Sequence, residues 1–215
     1  MFAVLAFCLV AFVAAQTPRP CTTPPQWEAN IFDHNQQQKF TVRGRLSYDA
    51  AYRRERMVEE VIIGSTDDAF DVIALFDSNT EYVYDFKNHN CSRRKIDRRW
   101  RDFGIRPDAT SFGEAYIGSS AAPGLGLLVT LWGGNHTTPS NDTVRSFGTW
   151  TMRGCLPVRH ISHSAQYGRT ETSFFDITAG ISDPNVFIPR RECLTEKEYA
   201  MRDILFGTPT KIEKK

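Results

Sequence analysis

The histidines are the residues of this chain best suited to chemistry, and their spacing argues against a shared metal site. His160 and His163 lie in the run HISHS. A spacing of three residues would bring two imidazoles together on a helix, but this run alternates between Pro157 and Gly168 and is predicted to be a strand. On a strand, residues three positions apart point to opposite faces, so the pair cannot share a zinc ion.

A serine and two pairs of acids are the next candidates for catalysis. Ser119 lies in GSSAAPG, a glycine-serine turn that lacks the G-x-S-x-G pattern of a nucleophile elbow. Glu59-Glu60 and Asp67-Asp68 are adjacent pairs, so on strands their carboxyl groups face apart and cannot work as an acid and base. No glycine-rich phosphate loop occurs in the sequence. We predict that the protein is not an enzyme; loss of an activity on mutation of Ser119 or His163 would contradict this.

Calcium is the one metal that the acidic residues make plausible. Asp176, Asp183 and Asn185 offer hard oxygen ligands on turns, which suits Ca²⁺, but they lack the spacing of an EF-hand. Asp and Asn at strand ends more often bind the neighbouring backbone. We therefore favour backbone roles for these three residues and predict that no cofactor is required.

A cluster of basic residues surrounds Trp100 in the sequence RRKIDRRWRDFG, residues 93–104, which we predict to be a short helix ending at Gly104. The cluster consists of Arg93, Arg94, Lys95, Arg98, Arg99 and Arg101. A solvated helix face is the favoured interpretation, and a patch for anionic glycans or lipid headgroups is the alternative. The net charge of +1 argues against nucleic acid as a partner.

The N-terminal residues, the cysteines and the glycosylation sequons of the chain predict export. Residues 1–15 are apolar and end in small residues, as in a signal peptide, which leaves residues 16–215 as a single domain. Four cysteines remain after cleavage, Cys21, Cys91, Cys155 and Cys193, and an even number in an exported protein predicts two disulfides with three possible pairings. Glycosylation sequons begin at Asn90, Asn135 and Asn141. We predict a secreted glycoprotein.

Period-two alternation of apolar residues dominates the chain and predicts about ten antiparallel strands with little helix. KFTVRGRLSYD is a half-buried strand, and FDVIALFDSNTEYVYDF is a hairpin around Asp77-Ser78-Asn79-Thr80. Further strands are predicted at residues 26–33, 53–63, 111–118, 124–132, 145–153, 157–167 and 169–178. Gly64, Pro123-Gly124, Gly133-Gly134, Gly154 and Gly168 are predicted turns between strands. A capping box, Thr195 to Glu198, predicts a helix over EYAMRDILFG.

Several of these strands are apolar on both faces, for example VIALF at 72–76 and LGLLVTLW at 125–132. A simple sandwich with one wet side per sheet does not require this pattern. The residues alone support equally a cavity lined by one face and a thicker core or dimer interface.

Four segments spread along the chain resemble the ependymin-related family, and especially its mammalian-type members. These segments are CTTPPQWEA, NHNCSRR, GCLPV and DITAGISDPNVFIPRREC. The resemblance implies two stacked, curved antiparallel sheets that form a half-open barrel around a deep apolar pocket, similar to bacterial lipoprotein carriers. It also implies a secreted or lysosomal glycoprotein that forms homodimers, binds hydrophobic molecules and has been linked to calcium. The pairing it implies joins Cys21 to Cys155 and Cys91 to Cys193.

From the residues and the resemblance together, we predict a non-enzymatic binder of lipids or similar hydrophobic molecules. The main rival is an extracellular adhesion or matrix protein that acts through calcium, glycans and its dimer surface. The residues predicted to line the pocket are the apolar positions of the strands: Phe40, Val42, Leu46, Tyr48, Val72, Phe76, Tyr82, Tyr84, Leu127, Val129, Leu131 and Phe187. In the last quoted segment, Pro184 and Pro189 interrupt regular structure, so VFI is predicted to pack against the core or the pocket wall.

Overall fold

A computed structural model describes residues 18–96, 98–138, 141–195 and 198 of the chain. The described part is almost entirely β-structure, with two short 3₁₀ helices at Pro184–Phe187 and Arg191–Cys193. The strands are β1 Gln26–Asn35, β2 Phe40–Asp49, β3 Arg54–Ile63, β4 Thr66–Leu75, β5 Thr80–Asp85, β6 Asn90–Lys95, β7 Thr110–Gly118, β8 Gly126–Thr137, β9 Thr143–Thr151, β10 Pro157–Ser164 and β11 Gly168–Ala179. The prediction of a mainly antiparallel β protein is confirmed.

The strands form one hydrogen-bonded antiparallel sheet of 11 strands in the order β6-β5-β4-β3-β2-β1-β11-β10-β9-β8-β7. Strands β1 to β6 are one meander and β7 to β11 are another. The pairing of β1 with β11 joins the two meanders at the centre of the sheet. The two predicted sheets therefore correspond to the two halves of one continuous sheet, whose ends do not pair with each other.

The two faces of this sheet differ in character. The inner face, which we define as the face carrying Trp27 and Tyr48, also carries Phe174 of β11, and these rings belong to one buried cluster. The outer face carries the alternate residues, among them Glu28 and Asp49, which are also buried. Where these residues lie on β1 and β2, both faces are therefore covered, the inner one by aromatic rings and the outer one by polar contacts.

Phe103 connects the two halves of the inner face. Its ring centroid lies 5.4 Å from that of Trp27, 6.1 Å from Tyr48 and 5.7 Å from Trp150. Tyr48 on β2 and Trp150 on β9 are four strand spacings apart, about 19 Å in a flat sheet. A single phenyl ring touches both, so the sheet curves around Phe103.

The segment that carries Phe103 is fixed to the N-terminal segment by backbone pairing. Thr22 forms a β-bridge with Gly104, and the N–H of Ile105 donates to the carbonyl of Cys21 at 2.8 Å. A Cβ atom at Gly104 would lie 2.7 Å from that carbonyl oxygen, so only glycine allows this approach. The disulfide between Cys21 and Cys155 then ties the same segment to the turn between β9 and β10.

A segment that we call the strap, residues 180–193, crosses the outer face of the first meander. It begins where β11 ends at Ala179, with Gly180 at φ +86°, and Asp183 caps the first 3₁₀ helix by accepting from the N–H of Asn185. Phe187 is buried beneath the guanidinium of Arg54, 4.2 Å from its ring centroid. Cys193 closes the strap onto β6 through Cys91.

Two sequence predictions of local structure are wrong. Residues 93–95 belong to strand β6 and the described residues after it form no helix, because β6 pairs with β5 and places Arg93 opposite Tyr82. Gly133 and Gly134 are not a turn but lie inside β8, which continues to Thr137. Phe112 covers the space above Gly133, where a Cβ atom would lie 2.8 Å from its ring, so the glycine fits the strand.

The predicted capping box is confirmed. The N–H of Glu198 donates to Thr195 Oγ1 at 3.3 Å, and the N–H of Thr195 donates to Glu198 Oε2 at 2.9 Å. The rest of the predicted C-terminal helix, like the predicted signal peptide, lies outside the described residues. Among those residues, no helix has the length and apolarity needed to cross a membrane.

Candidate functional site

The first candidate site is a wall of apolar side chains on the inner face of β2 to β5. The strand register places these residues on that face: Phe40, Val42, Met57, Val61, Phe70, Val72 and Val83. All except the buried Val42 keep part of their surface exposed. The aromatic cluster around Phe103 therefore leaves this apolar wall partly uncovered, and the wall can offer apolar contact area to a ligand.

Two carboxyl groups interrupt the apolar wall. Asp33 on β1 and Glu59 on β3 lie on the inner face, on either side of β2. Burial raises the pKa of Glu59, and the nearby charge of Asp33 raises it further. Burial also raises the pKa of Asp33, and this effect outweighs a hydrogen bond with Thr172 that lowers it. The Oδ1 atom of Asp33 is buried without a hydrogen-bond partner among the described residues. These groups become neutral on milder acidification than ordinary carboxyls do.

A small polar cavity lies on the inner face of the second meander. It has a volume of about 60 Å³, and its walls include Trp132, Ser146, Trp150 and His160. The segment of residues 104–109 covers it. Burial lowers the pKa of His160, so its imidazole is neutral at neutral pH. This volume holds a few waters or one small polar group, but not an acyl chain.

The twelve residues predicted to line a pocket do not share one face. The inner face carries five of them, Phe40, Val42, Leu46, Tyr48 and Val72. Phe76 lies in the turn after β4, where its ring contacts that of Trp100. The outer face carries five others, Tyr82 and Tyr84 of β5 and Leu127, Val129 and Leu131 of β8. Phe187 lies in the strap over the outer face of the first meander. Within the inner group, Tyr48 is fully buried in the aromatic core, so the remaining apolar wall is the part available to a ligand.

Sequence reasoning missed the apolar wall residues Met57, Val61, Phe70 and Val83 and the carboxyls Asp33 and Glu59. The alternation of β3 and β4 contains these apolar residues, but which alternate set faces inward depends on the register with β2. The burial of Asp33 and Glu59 results from the curvature of the whole sheet, which no local pattern reveals.

The outer face beneath the strap holds a buried network of ion pairs. Asp71 accepts from Arg56 through both carboxylate oxygens, at 2.8 Å each, and from Arg190 of the strap at 2.8 Å. Asp49 accepts from Arg54 at 2.8 Å. These carboxylates and their partners satisfy one another, so the network holds the strap in place and offers no open site.

Glu28 extends this network to the start of the strap. Its carboxylate accepts from the hydroxyl of Ser182, from Ser47 at 2.8 Å and from Arg45 at 3.1 Å. Burial alone would raise the pKa of Glu28, but these hydrogen bonds and the charge of Arg45 outweigh it and lower the pKa. Glu28 therefore stays ionised at neutral pH although it is only 2% exposed.

The predicted calcium ligands have other roles in the structure. Asp183 accepts from the backbone N–H and the side-chain amide of Asn185, and Asp176, at φ +51°, accepts from Asn30 at 2.9 Å. Among the described residues, no three histidine, cysteine, aspartate or glutamate side chains are grouped to hold a metal ion. The backbone role of Asp183 agrees with the preferred prediction, and calcium binding stays a prediction.

Acidic neighbours neutralise half of the basic cluster. Arg93 pairs with Glu198 at 2.9 Å, Arg94 pairs with Glu81, and Arg98 pairs with Glu55 at 2.8 Å. Arg93 and Arg98 also lie over the rings of Tyr82 and Phe76. The cluster is thus a half-paired, exposed surface on a strand and the segment after it, so the predicted solvated helix face is wrong in its helix, and binding to anionic surfaces stays a prediction.

The outer face of the second meander exposes large apolar side chains. Phe112 is 62% exposed and packs against Phe147, which is 37% exposed. Ile117 and Leu127 are also exposed on this face, but they lie farther along β7 and β8, beyond the buried Val129. A groove of about 510 Å³ runs beside Phe147 and Ile161. Exposed, paired aromatic rings such as Phe112 and Phe147 are typical of surfaces that serve in association.

The features expected of an exported chain are in place. Both disulfides implied by the resemblance are present, Cys21–Cys155 and Cys91–Cys193. The sequon residues Asn90, Asn135 and Asn141 are all exposed, so each side chain has room on the surface for a glycan.

These features define a class of protein, an antiparallel β-sheet protein tied by two disulfides. The sequence profile of the ependymin family matches residues 64–193. An ependymin of Notemigonus crysoleucas is 32% identical over 190 residues, which cover 86% of this chain and 85% of that protein. Mammalian ependymin-related protein 1 of Rattus norvegicus is 27% identical over 188 residues, which cover 87% of this chain and 82% of that protein.

The chain therefore belongs to the ependymin family. Family membership and the two disulfides support a secreted protein. An uncharacterized conserved protein from Thermus thermophilus has a similar fold, with a TM-score of 0.50 over 80% of this chain and 90% of that one, at 8% identity. At this identity the likeness concerns the fold alone.

Proposed function

We propose that the protein binds lipids or other hydrophobic molecules against the apolar wall of its inner face. The observation that carries the proposal is that Phe40, Met57, Val61, Phe70, Val72 and Val83 line one curved face and remain partly exposed there. In an ordinary sheet core such residues would be fully covered. Their partial exposure fits a surface that a ligand completes.

Binding would derive its free energy mainly from buried apolar area, at about 25 cal/mol per Å². Few directional contacts are available on the apolar wall, so selectivity among chains of similar length would be low. A fatty-acyl chain fits these requirements. The protein would act as a carrier and would not transform its ligand.

The experiment compares two neighbouring residues on β3 that point to opposite faces. Val61→Gln places a polar amide on the apolar wall, and Ile62→Gln makes the same change on the outer face. We expect native mass spectrometry of the purified protein to detect a bound lipid. Binding of a fluorescent fatty acid to the delipidated protein should weaken about tenfold in Val61→Gln and little in Ile62→Gln.

Equal binding by both variants and the unchanged protein would place the ligand elsewhere. The outer groove beside Phe147 would then be the next surface to test. If no lipid co-purifies or binds, and calcium instead promotes self-association, the adhesion or matrix role replaces the carrier.

The proposed carrier is a homodimer that associates through the outer face of the second meander. The exposed rings of Phe112 and Phe147 support this arrangement, because two such faces would bury each other's apolar surface. Phe147→Ser should convert a dimer to a monomer in sedimentation velocity. A dimer that persists in this variant would have another interface.

An acidic compartment such as the lysosomal lumen is a second destination that we propose beside the extracellular fluid. Asp33 and Glu59 have raised pKa values, so acidification neutralises them and makes the inner face less polar. Fatty-acid binding measured at neutral and at acidic pH should then be tighter in acid. Tighter binding at neutral pH would argue against the acidic destination.

A further inference from the structure

The small cavity on the inner face of the second meander is lined by a tryptophan whose indole N–H has no acceptor among the described residues. Trp132 is 4% exposed, and its Nε1 is buried without a hydrogen-bond partner among the described residues. An indole N–H can only donate, and a buried donor without an acceptor is costly. Trp150 and His160 line the same cavity. The indole N–H of Trp132 therefore requires an acceptor.

Three other polar side chains of the cavity wall already have partners. Arg106 donates to both carboxylate oxygens of Asp108, at 2.9 and 2.8 Å. The hydroxyl of Ser146 donates to the carbonyl of Gly134 at 3.3 Å. The acid on this wall is thus occupied, and the unmet demand is for an oxygen that accepts from Trp132.

We propose that this cavity binds the carbonyl oxygen of a carboxylic acid or ester, with Trp132 Nε1 as a donor. The volume of about 60 Å³ suits one such group and no larger body. The proposal deepens the proposed function, on which it partly rests, by assigning the head group of an acyl ligand. A small free carboxylate such as acetate could supply the same acceptor oxygen without an acyl chain.

A row of cross-strand neighbours on the inner face joins this cavity to the apolar wall. His160, Thr172 and Asp33 face one another across β10, β11 and β1, and Val42 continues the same row on β2. Trp132 on β8 is five strand spacings from Val42, about 24 Å along a flat sheet. A head group at Trp132 would therefore direct an acyl chain along the inner face toward the wall.

The test uses the indole N–H resonances of the four tryptophans in ¹⁵N-labelled protein. Trp132→Phe removes one resonance and so assigns it. The Trp27 and Trp100 indoles are internal controls, because they already donate to Thr23 Oγ1 at 3.1 Å and to Asp102 Oδ1 at 2.9 Å. Titration with laurate should shift the Trp132 resonance, while those of Trp27 and Trp100 stay in place.

Affinities separate the head group from the chain. The unchanged protein should bind laurate or methyl laurate about tenfold more tightly than dodecane, and Trp132→Phe should reduce this preference without weakening dodecane binding. If laurate and dodecane bind equally and the Trp132 resonance does not move, the head-group site is refuted while the carrier stands. If neither chain binds but acetate shifts Trp132, the carrier fails and the cavity is a site for a small carboxylate. If neither laurate nor acetate shifts Trp132, the proposal is refuted.

A second variant keeps the test independent of the folding of Trp132→Phe. Gly134 lines the cavity, and a Cβ atom there would meet only Ala109 Cα at 3.8 Å, so Gly134→Val fits the strand and takes up cavity volume. This variant should lose the shift of Trp132 on addition of laurate and retain dodecane binding. An unchanged shift in Gly134→Val would overturn the proposal.

Discussion

The guanidinium of Arg190 donates through Nε to the buried carboxylate of Asp71 at 2.8 Å, although 119 positions separate the two residues in the chain. Arg56 binds the same carboxylate from the neighbouring strand and also donates to the carbonyl of Val186 in the strap at 2.9 Å. One carboxylate thus holds the strap and the sheet together. Removing its charge would leave two guanidinium groups without their counter-charge.

Asp71→Asn should therefore lower the free energy of unfolding by about 3–5 kcal/mol, the cost of breaking a buried ion pair. Urea unfolding monitored by circular dichroism measures the loss. Asp108→Asn is the matched control, since Asp108 also pairs with an arginine but is exposed. Its midpoint should stay unchanged, and similar losses in both variants would contradict a special role for Asp71.

Phe103→Ala should destabilise the protein by about 3 kcal/mol, because it leaves a cavity among Trp27, Tyr48 and Trp150. The tryptophan fluorescence should shift to the red as water reaches these rings. Phe112→Ala removes an exposed ring from the outer face and serves as the control. An unshifted spectrum in Phe103→Ala would mean that the two halves of the inner face do not depend on this side chain.

Loss of the Cys91–Cys193 disulfide should release the end of the strap. The double variant Cys91→Ser/Cys193→Ser should lose about 4–5 kcal/mol in the chain-entropy model, since the bond closes a loop with a sequence separation of 102. Limited proteolysis should then cut within residues 180–193. The variant Cys21→Ser/Cys155→Ser should lose similar stability while its strap stays protected; cleavage of the strap in both variants would contradict this assignment.

The stability of the protein should rise on mild acidification and fall in stronger acid. Asp33 and Glu59 have raised pKa values in the folded state, so the folded protein binds more protons as the pH falls through these values and gains stability. Glu28 has a pKa below its ordinary 4.5, and its contribution is lost as the pH falls through that lowered value.

Urea midpoints measured from pH 7 down to about pH 4 test this dependence. The double variant Asp33→Asn/Glu59→Gln should be more stable than the unchanged protein at neutral pH and should lack the rise. Glu28→Gln should be less stable at neutral pH and keep the rise. A midpoint that declines steadily from neutral pH in the unchanged protein would disprove the roles of Asp33 and Glu59.

Local pattern is sufficient to predict most of the strands. The alternation in β2 and the hairpin of β4 and β5 follow from apolar residues at every second position, which is a property of neighbours in sequence. Strand β6 has no such pattern. Its pairing depends on contacts of Arg93 with Tyr82 and of Arg94 with Glu81, which only the folded chain brings together.

The candidate site is less predictable than the strands. Alternation shows that Val72 and Ile73 face opposite ways, but not which of them faces inward. That choice depends on the strap, which covers the outer face, and on Phe103, which fills the centre of the inner face. In the sequence Trp132 is only part of an apolar run, and its lack of an acceptor among the described residues is visible only in the folded chain.

The two ends of the sheet differ in their susceptibility to aggregation. In the described part of the chain, β6 and β7 are the terminal strands, and each has a backbone edge to which another strand could add. Arg93, Arg94 and Lys95 place charge along β6 and discourage such addition, whereas β7 has a single acid, Glu114, among Phe112, Tyr116 and Ile117. Uncontrolled polymerisation of this protein would therefore begin at β7, and one lysine substituted there would be a practical way to keep concentrated samples in solution.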